Sequence, residues 1–170
     1  MNLTDLLTQK KSIITDKWLK LVFQSYPPET AIFLRKEKDH FDNPVGYRLS
    51  EGVKGLFDAL VRDLESERVQ FFLDEIIRIR AIQEFRPSQA LAFIFLLKNV
   101  IREECARELR TDKGLAAEVA EFESRLDGVA LLGFDVYTQR REKLHEIRVN
   151  EVKSRVSAFL RKSGISSNSL

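Results

Sequence analysis

Apolar residues recur at steps of three and four along most of the chain, with charged and polar residues between them. This spacing places apolar side chains on one face of a helix, whereas a half-buried strand would alternate every second residue. The pattern predicts an all-α fold, with helices in the first half over residues 4–26, 29–38, 48–64 and 69–85. The segment Asp39–Tyr47 concentrates Asp, Asn, Pro and Gly and is predicted to be an ordered functional loop.

A central helix is predicted from Phe85 to Leu109. The run Ala90–Leu97 is apolar on every side, so the first half of this helix is expected to be enclosed by other helices. Pro87 and Ser88 suit a helix start, because proline lacks the N–H that the first turn leaves unpaired and serine can cap the free donors. The second half becomes amphipathic, with an apolar stripe made of Leu97, Ile101, Cys105 and Leu109.

The last predicted helix runs from about Leu115 to Lys162 in near-heptad spacing, which is typical of a helix that pairs with another helix. At 1.5 Å per residue it would be roughly 70 Å long, so its far end is expected to project or to pair with a second chain. We predict one domain over residues 1–162, a disordered tail over residues 163–170 and a homodimer. The predicted partner-facing seam consists of Val129, Val136, Leu144, Ile147, Val152 and Val156.

Acidic and basic residues nearly balance at a net charge of +2, which gives no general reason to expect nucleic acid or a membrane surface as a partner. Between Thr138 and Lys162, however, eight Lys or Arg stand against three Glu. Two interpretations remain open: a solvated outer face of the projecting helix, or a face that docks an acidic signalling or redox partner protein. The docking hypothesis rests on Arg141, Arg148 and Arg155; nucleic acid is disfavoured because an aromatic stacking platform is lacking.

The N-terminus does not resemble a signal peptide, and no apolar run is long enough for a membrane span. We therefore predict a soluble, cytoplasmic protein without membrane insertion. The single cysteine, Cys105, is interpreted as a small buried hydrophobe. His40 and His145 lie in different predicted elements, and no metal-ligand spacing or phosphate-binding glycine loop occurs. The sequence predicts neither an enzyme nor a metal or cofactor site.

Five aromatic residues leave two interpretations open. They either line a pocket for a small apolar ligand or fill a solid core, which is the more common role of such residues. A pocket would indicate a small-molecule sensor, whereas a solid core would favour a protein-interaction module. The candidate pocket residues are Trp18, Phe57, Phe72, Phe93 and Phe95.

Several short motifs occur in a fixed order: Trp18, Tyr26-Pro27, Asn43-Pro44-Val45-Gly46, Arg78-Ile79-Arg80-Ala81 and Phe85-Arg86-Pro87-Ser88-Gln89-Ala90-Leu91. In this order they resemble the N-terminal sensor domain of the RsbT co-antagonist protein RsbRD, and the resemblance extends from about Leu6 to Glu151. It implies a non-catalytic regulatory domain, similar to the haem-free globin-like domains of stressosome proteins. Such domains dimerise and pass a signal through a C-terminal helix.

In those proteins the C-terminal helix leads into a STAS output domain. None follows within these 170 residues, so we expect a sensor whose long helix docks onto a separate protein. The globin likeness leaves a small apolar-ligand or haem-binding protein as the alternative. A globin holds its haem iron through a proximal imidazole, and residues 67–109 contain no histidine. We therefore expect no cofactor.

Overall fold

The structure, a computed structural model, describes residues 2–36, 41–62 and 67–164. All regular structure in these residues is helical, which confirms the predicted all-α fold. His40 of the predicted loop and residues 165–170 of the predicted tail lie outside the described residues. The helices are α1 (Leu3–Gln9), α2 (Lys11–Gln24), α3 (Pro28–Lys36), α4 (Pro44–Arg62), α5 (Glu67–Ile82), α6 (Pro87–Glu104), α7 (Ala106–Thr111) and α8 (Lys113–Lys162).

Two of the predicted helices are each divided, and the two breaks lie against each other. The first predicted helix is interrupted at Lys10, between α1 and α2, and the central helix at Cys105, between α6 and α7. The Lys10 ammonium donates a hydrogen bond to the carbonyl of Glu104, the last residue of α6, and forms an ion pair of 2.9 Å with Glu108. Because carbonyls at a helix end lack intrahelical partners, Lys10 stabilises the break that it faces.

Helix α4 begins earlier than predicted because Asn43 caps it. The Asn43 side-chain oxygen accepts a hydrogen bond from the Gly46 N–H at 2.8 Å, and its amide nitrogen donates to the Leu34 carbonyl at 3.1 Å. Gly46 leaves room for this cap, since a Cβ there would lie 2.1 Å from the Asn43 amide nitrogen. The predicted loop Asp39–Tyr47 is therefore helical from Pro44 onward.

The core is centred on α6, which contacts both α2 and α8, while α4 and α5 pack against each other. The predicted apolar stripe of α6 is buried at Leu97, Ile101 and Cys105. The prediction that the first half of this helix is enclosed on every side is wrong, because the Phe95 side chain is 47% exposed. One face of α6 therefore reaches the surface.

Helix α8 has 50 residues and is about 75 Å long at 1.5 Å per residue. Its first half packs against α5 and α6 and contributes buried side chains from Leu115 to Tyr137. Beyond residue 145 most of its large apolar side chains are exposed, including Ile147, Val152 and Phe159, while Val149 and Leu160 are partly exposed. The predicted long C-terminal helix is present, and its far end projects from the domain.

Candidate functional site at the root of the long helix

The last two residues of α5 and its short connection to α6 together span residues 81–86, and we call this segment the α5–α6 corner. Within it, Glu84 has a φ of 61°, in the left-handed region that residues other than glycine rarely adopt. Such a backbone is unfavourable for a residue with a Cβ and persists only where surrounding contacts hold it in place. Here it is held by two backbone hydrogen bonds to the end of α5, from the Glu84 N–H to the Ala81 carbonyl at 3.2 Å and from the Phe85 N–H to the Arg80 carbonyl at 3.3 Å. Side chains of α8 add further bonds.

Three side chains of α8 bond to the α5–α6 corner, and we call this part of the helix, residues 137–148, the root of α8. The Tyr137 hydroxyl donates to the carbonyl of Phe85. Arg141 donates to the carbonyl of Ala81 at 3.1 Å, and Arg148 donates to the Glu84 carboxylate at 2.7 Å. The hydrogen bond from Arg148 lowers the pKa of Glu84. The root is thereby bonded to the corner across three helical turns.

A fourth side chain of the root bonds to the body of α5. Arg140 makes a two-pronged contact with the Asp74 carboxylate, in which its Nε donates at 2.8 Å and its Nη2 donates to the second oxygen. This hydrogen bonding raises the pKa of Arg140. Because a two-pronged guanidinium–carboxylate contact has a defined geometry, it is a directional tie between α8 and α5.

Arg80 lies directly behind the corner and is completely buried. Its guanidinium donates to the Gln89 carbonyl at 2.9 Å, to the Ser25 hydroxyl at 2.8 Å and to the Val22 carbonyl at 3.3 Å. Val22 lies in the last turn of α2 and Ser25 follows that helix, so the cation caps the negative end of the α2 dipole. Burial lowers the pKa of Arg80.

Aromatic rings complete the surroundings of Arg80. Its guanidinium carbon lies 5.5 Å from the ring centre of Tyr26, 4.9 Å from that of Phe85 and 5.6 Å from that of Phe93, within the range of cation–π attraction. We call these three rings the Arg80 cage. Phe85 belongs both to the cage and to the α5–α6 corner, and the Tyr26 hydroxyl donates to Gln83 of the corner at 2.8 Å. The core around Arg80 and the root of α8 therefore meet at one short segment.

Sequence reasoning did not single out Arg80 as a site residue, although it lies within the Arg78–Ala81 motif. The sequence does contain an indication of its burial. Arg80 lies seven, four and three residues after Leu73, Ile76 and Ile77, which places it on the apolar face of α5. A basic residue on an apolar face has to find polar partners inside the protein. The hydrogen bonds from α8 to α5 and to the corner could not be predicted from the sequence in this way, because the bonded residues lie 52 to 66 positions apart in the chain.

The predicted aromatic pocket does not form around all five of its residues. Trp18, Phe57 and Phe93 are no more than 1% exposed, and the Trp18 indole donates to the Phe93 carbonyl at 2.7 Å. The rings of Trp18 and Phe93 stack with centres 6.0 Å apart. Phe72 is partly buried, while Phe95 is 47% exposed. The three buried residues pack as core, the arrangement that favours an interaction module.

The predicted partner-facing seam is divided between the core and the surface. Val129 is 6% exposed, and Val136 and Leu144 pack against the core of the same chain, so these residues do not offer a partner a free surface. Val152 and Val156 are 59% and 48% exposed. Ile147, 53% exposed, lies five positions before Val152 and so falls on a different side of the helix.

The three arginines of the predicted docking face have partners within the chain. Arg141 and Arg148 bond to the α5–α6 corner, which gives them a structural role that the sequence did not suggest. Arg155 forms an exposed ion pair of 2.6 Å with Glu151, one turn earlier in the same helix. Of the three, only Arg155 lies clear of the root.

Within the described residues, no group of three His, Cys, Asp or Glu side chains is placed to hold a metal ion. Cys105 is buried, and its burial raises the pKa of the thiol, which disfavours the reactive thiolate. His145 is exposed on α8. None of the described helices combines the length and the apolar character that crossing a membrane requires.

The fold and the root of α8 define an all-α domain in which a long helix is bonded into the core at one end and exposed at the other. Residues 13–152 match the family described as the RsbT co-antagonist protein rsbRD N-terminal domain, and the chain belongs to this family. The resemblance noted in the sequence is thereby confirmed, and the family is one of regulatory sensor domains. Searches of curated proteins and of solved structures found no match.

Proposed function

We propose that this chain is a sensor domain that dimerises and relays its state to a partner protein through α8. The observation that supports this most directly is the course of α8, which is bonded to the α5–α6 corner at its root and carries exposed apolar side chains beyond it. A continuous helix transmits a rotation or tilt along its length because its backbone is hydrogen-bonded throughout. Membership of a sensor-domain family agrees with this role.

Four of the exposed apolar residues of α8 have heptad-like spacing, in which the two positions between Leu131 and Val152 are the polar residues Thr138 and His145. Leu131, Val152 and Phe159 are separated by multiples of seven residues and are 71%, 59% and 68% exposed, and Val156 follows Val152 by four. Positions that repeat every seven residues share one face of a supercoiled helix. We call these four residues the α8 seam.

A second copy of the chain is the proposed occupant of the α8 seam. Exposed apolar surface of this extent is unusual on a monomer, and a two-fold axis would cover the same residues on both copies. Phe134, three residues after Leu131 on α8, and Phe95 on α6 are also about half exposed.

The dimer is tested by measuring the mass of the protein in solution by light scattering. Wild type is expected to be a dimer, and replacing Val152 and Val156 together with glutamate should give a monomer, because charge then enters the seam. The control Ser154→Glu with Ser157→Glu adds the same charge to exposed positions on the other side of α8 and should remain dimeric. A monomeric wild type, or equal masses for the two variants, contradicts the proposal.

The partner protein that receives the signal is proposed to be acidic and to bind the outer part of α8. Arg155 is available there because its exposed ion pair with Glu151 contributes little, and Arg161 and Lys162 are exposed beyond it. Replacing Arg155 and Arg161 with glutamate should abolish capture of an acidic partner and leave the dimer intact. Capture of the same proteins by wild type and variant at low salt would show that this face has no docking role.

A further inference from the structure

We propose that a surface groove between α2, α3 and α4 binds a small amphipathic anion, meaning a molecule with an apolar chain and one carboxylate. The groove has a volume of about 440 Å³, which lies in the range of small-molecule sites in proteins. None of the five aromatic residues of the predicted pocket lines it. The inference goes beyond the proposed function, since the groove does not require α8 to pair with a second copy.

The floor of the groove is apolar. Phe23 of α2 and Leu34 of α3 are each 5% exposed, and Leu19 is partly buried beside them. Packed side chains of this kind offer dispersion contacts to a hydrocarbon chain, and the chain loses its unfavourable contact with water when it lies on them. The floor therefore accounts for the apolar part of the ligand.

The rim of the groove carries an excess of positive charge. Among the residues that the structure describes, the side chains of Lys20 and Arg35 take part in no hydrogen bond or ion pair, whereas Lys54 pairs with Glu51 at 3.8 Å. Asp16 brings one negative charge to the same rim. Two unpaired cations against one carboxylate favour an anionic head group over a neutral or cationic one.

The walls of the groove are held in place by bonds within the protein. Leu34 of α3 and Gly46 of α4 both line the groove, and both are bonded to the buried side chain of Asn43. A preformed site binds without a large ordering cost. Its size also points to a small molecule, because a stable interface with a partner protein buries about 800 Å² on each side.

Binding is tested by isothermal titration calorimetry and by the melting temperature of the full chain. The probes are decanoate, decan-1-ol and decylamine, which have the same chain length and differ in charge. Decanoate is expected to bind and to raise the melting temperature, since a ligand that binds only the folded state stabilises it. Without the contribution of the two cations, decan-1-ol should bind about ten-fold more weakly, and decylamine should not bind.

Variants locate the binding in the groove. Lys20→Glu with Arg35→Glu reverses two exposed rim charges and should weaken decanoate binding by at least the margin seen with decan-1-ol. Arg68→Glu with Arg107→Glu makes the same charge change at exposed positions on α5 and α7 and should bind like wild type. Ser50→Trp fills the groove without altering charge and should abolish binding.

Three results would overturn the proposal. Absence of heat and of a melting shift with decanoate and wild type would show that the groove does not bind this class of ligand. Equal binding of decan-1-ol and decanoate would remove the role of the cations. Undiminished binding by the Lys20/Arg35 variant or by Ser50→Trp would place the ligand elsewhere on the chain.

Discussion

Arg80 is a buried cation whose hydrogen-bond partners are all uncharged. Two backbone carbonyls, the Ser25 hydroxyl and three aromatic rings surround its guanidinium, and within the described residues its Nε has no partner. Arginine remains protonated at neutral pH even where burial lowers its pKa. The end of α2 and the start of α6 are therefore joined through one charged side chain that has been removed from water.

Replacing Arg80 with alanine should destabilise the protein by about 3 kcal/mol or more, because its hydrogen bonds to Val22, Ser25 and Gln89 are lost and a cavity opens inside the Arg80 cage. Arg80→Lys should recover only part of this, since an ammonium cannot reach three acceptors as the guanidinium fork does. Urea unfolding measures the change. Arg78→Ala, two residues earlier and paired with Glu75 on the same helix, should stay within about 0.5 kcal/mol. Equal losses for Arg78→Ala and Arg80→Ala would contradict the role assigned to the cage.

Glu84 provides a test of the backbone of the α5–α6 corner. Glu84→Gly should raise the urea midpoint relative to Glu84→Ala, because both variants lose the bond to Arg148 while only glycine adopts a φ of 61° without strain. The comparison isolates the backbone conformation from the lost carboxylate. An alanine variant that is as stable as the glycine variant would show that the corner carries no strain at this residue.

At the scale of helices, the root of α8 explains how a long exposed helix keeps a defined direction. Tyr137 and the arginines at positions 140, 141 and 148 bond to α5 and to the corner. The sequence-based interpretation placed Arg141 and Arg148 on a solvated or docking face of the helix. Because they bond to Ala81 and Glu84, their loss is expected to loosen α8 locally.

Replacing Arg141 and Arg148 together with alanine should increase amide hydrogen exchange in the corner and in residues 141–152, with little change in the buried part of α8. Local opening depends on local contacts, so exchange is more sensitive here than the melting temperature. Arg155→Ala removes an arginine of the same helix beyond the root and should leave exchange in the corner unchanged. Identical exchange profiles for the double variant and wild type would show that the root is not held by these side chains.

The helices themselves were largely predictable, because their apolar spacing is regular. The breaks at Lys10 and Cys105 were not, since neither position carries the Gly or Pro signal of a helix end and both breaks depend on the contact between Lys10, Glu104 and Glu108. The start of α4 was visible in part, as Asn43 and Pro44 are a typical cap and first residue. The prediction of a loop over Asp39–Tyr47 gave too much weight to the tendency of Asn and Pro to form turns.

At the scale of the whole molecule, the sequence predicted that the last helix would extend beyond the domain, because a helix of this length is longer than a domain of this size. It did not predict which face of α8 would remain free. Apolar residues recur in near-heptad spacing, with one slip in register, from buried Val129 to exposed Val152, and the change from core to surface depends on where α5 and α6 end beside the helix. The residues of the α8 seam could be separated from the core only once these neighbours were placed.

The proposed relay requires that α8 pairs with α8 of a second copy and that its root sets the arrangement of the pair. Spin labels at Ser157→Cys, an exposed position on α8, report the distance between two copies, while burial shields native Cys105 from the label. We predict one narrow distance distribution for wild type, which broadens when Arg141 and Arg148 are replaced with alanine. A wild-type signal no different from that of randomly distributed single molecules, or a distribution that the root variant leaves unchanged, would contradict the account.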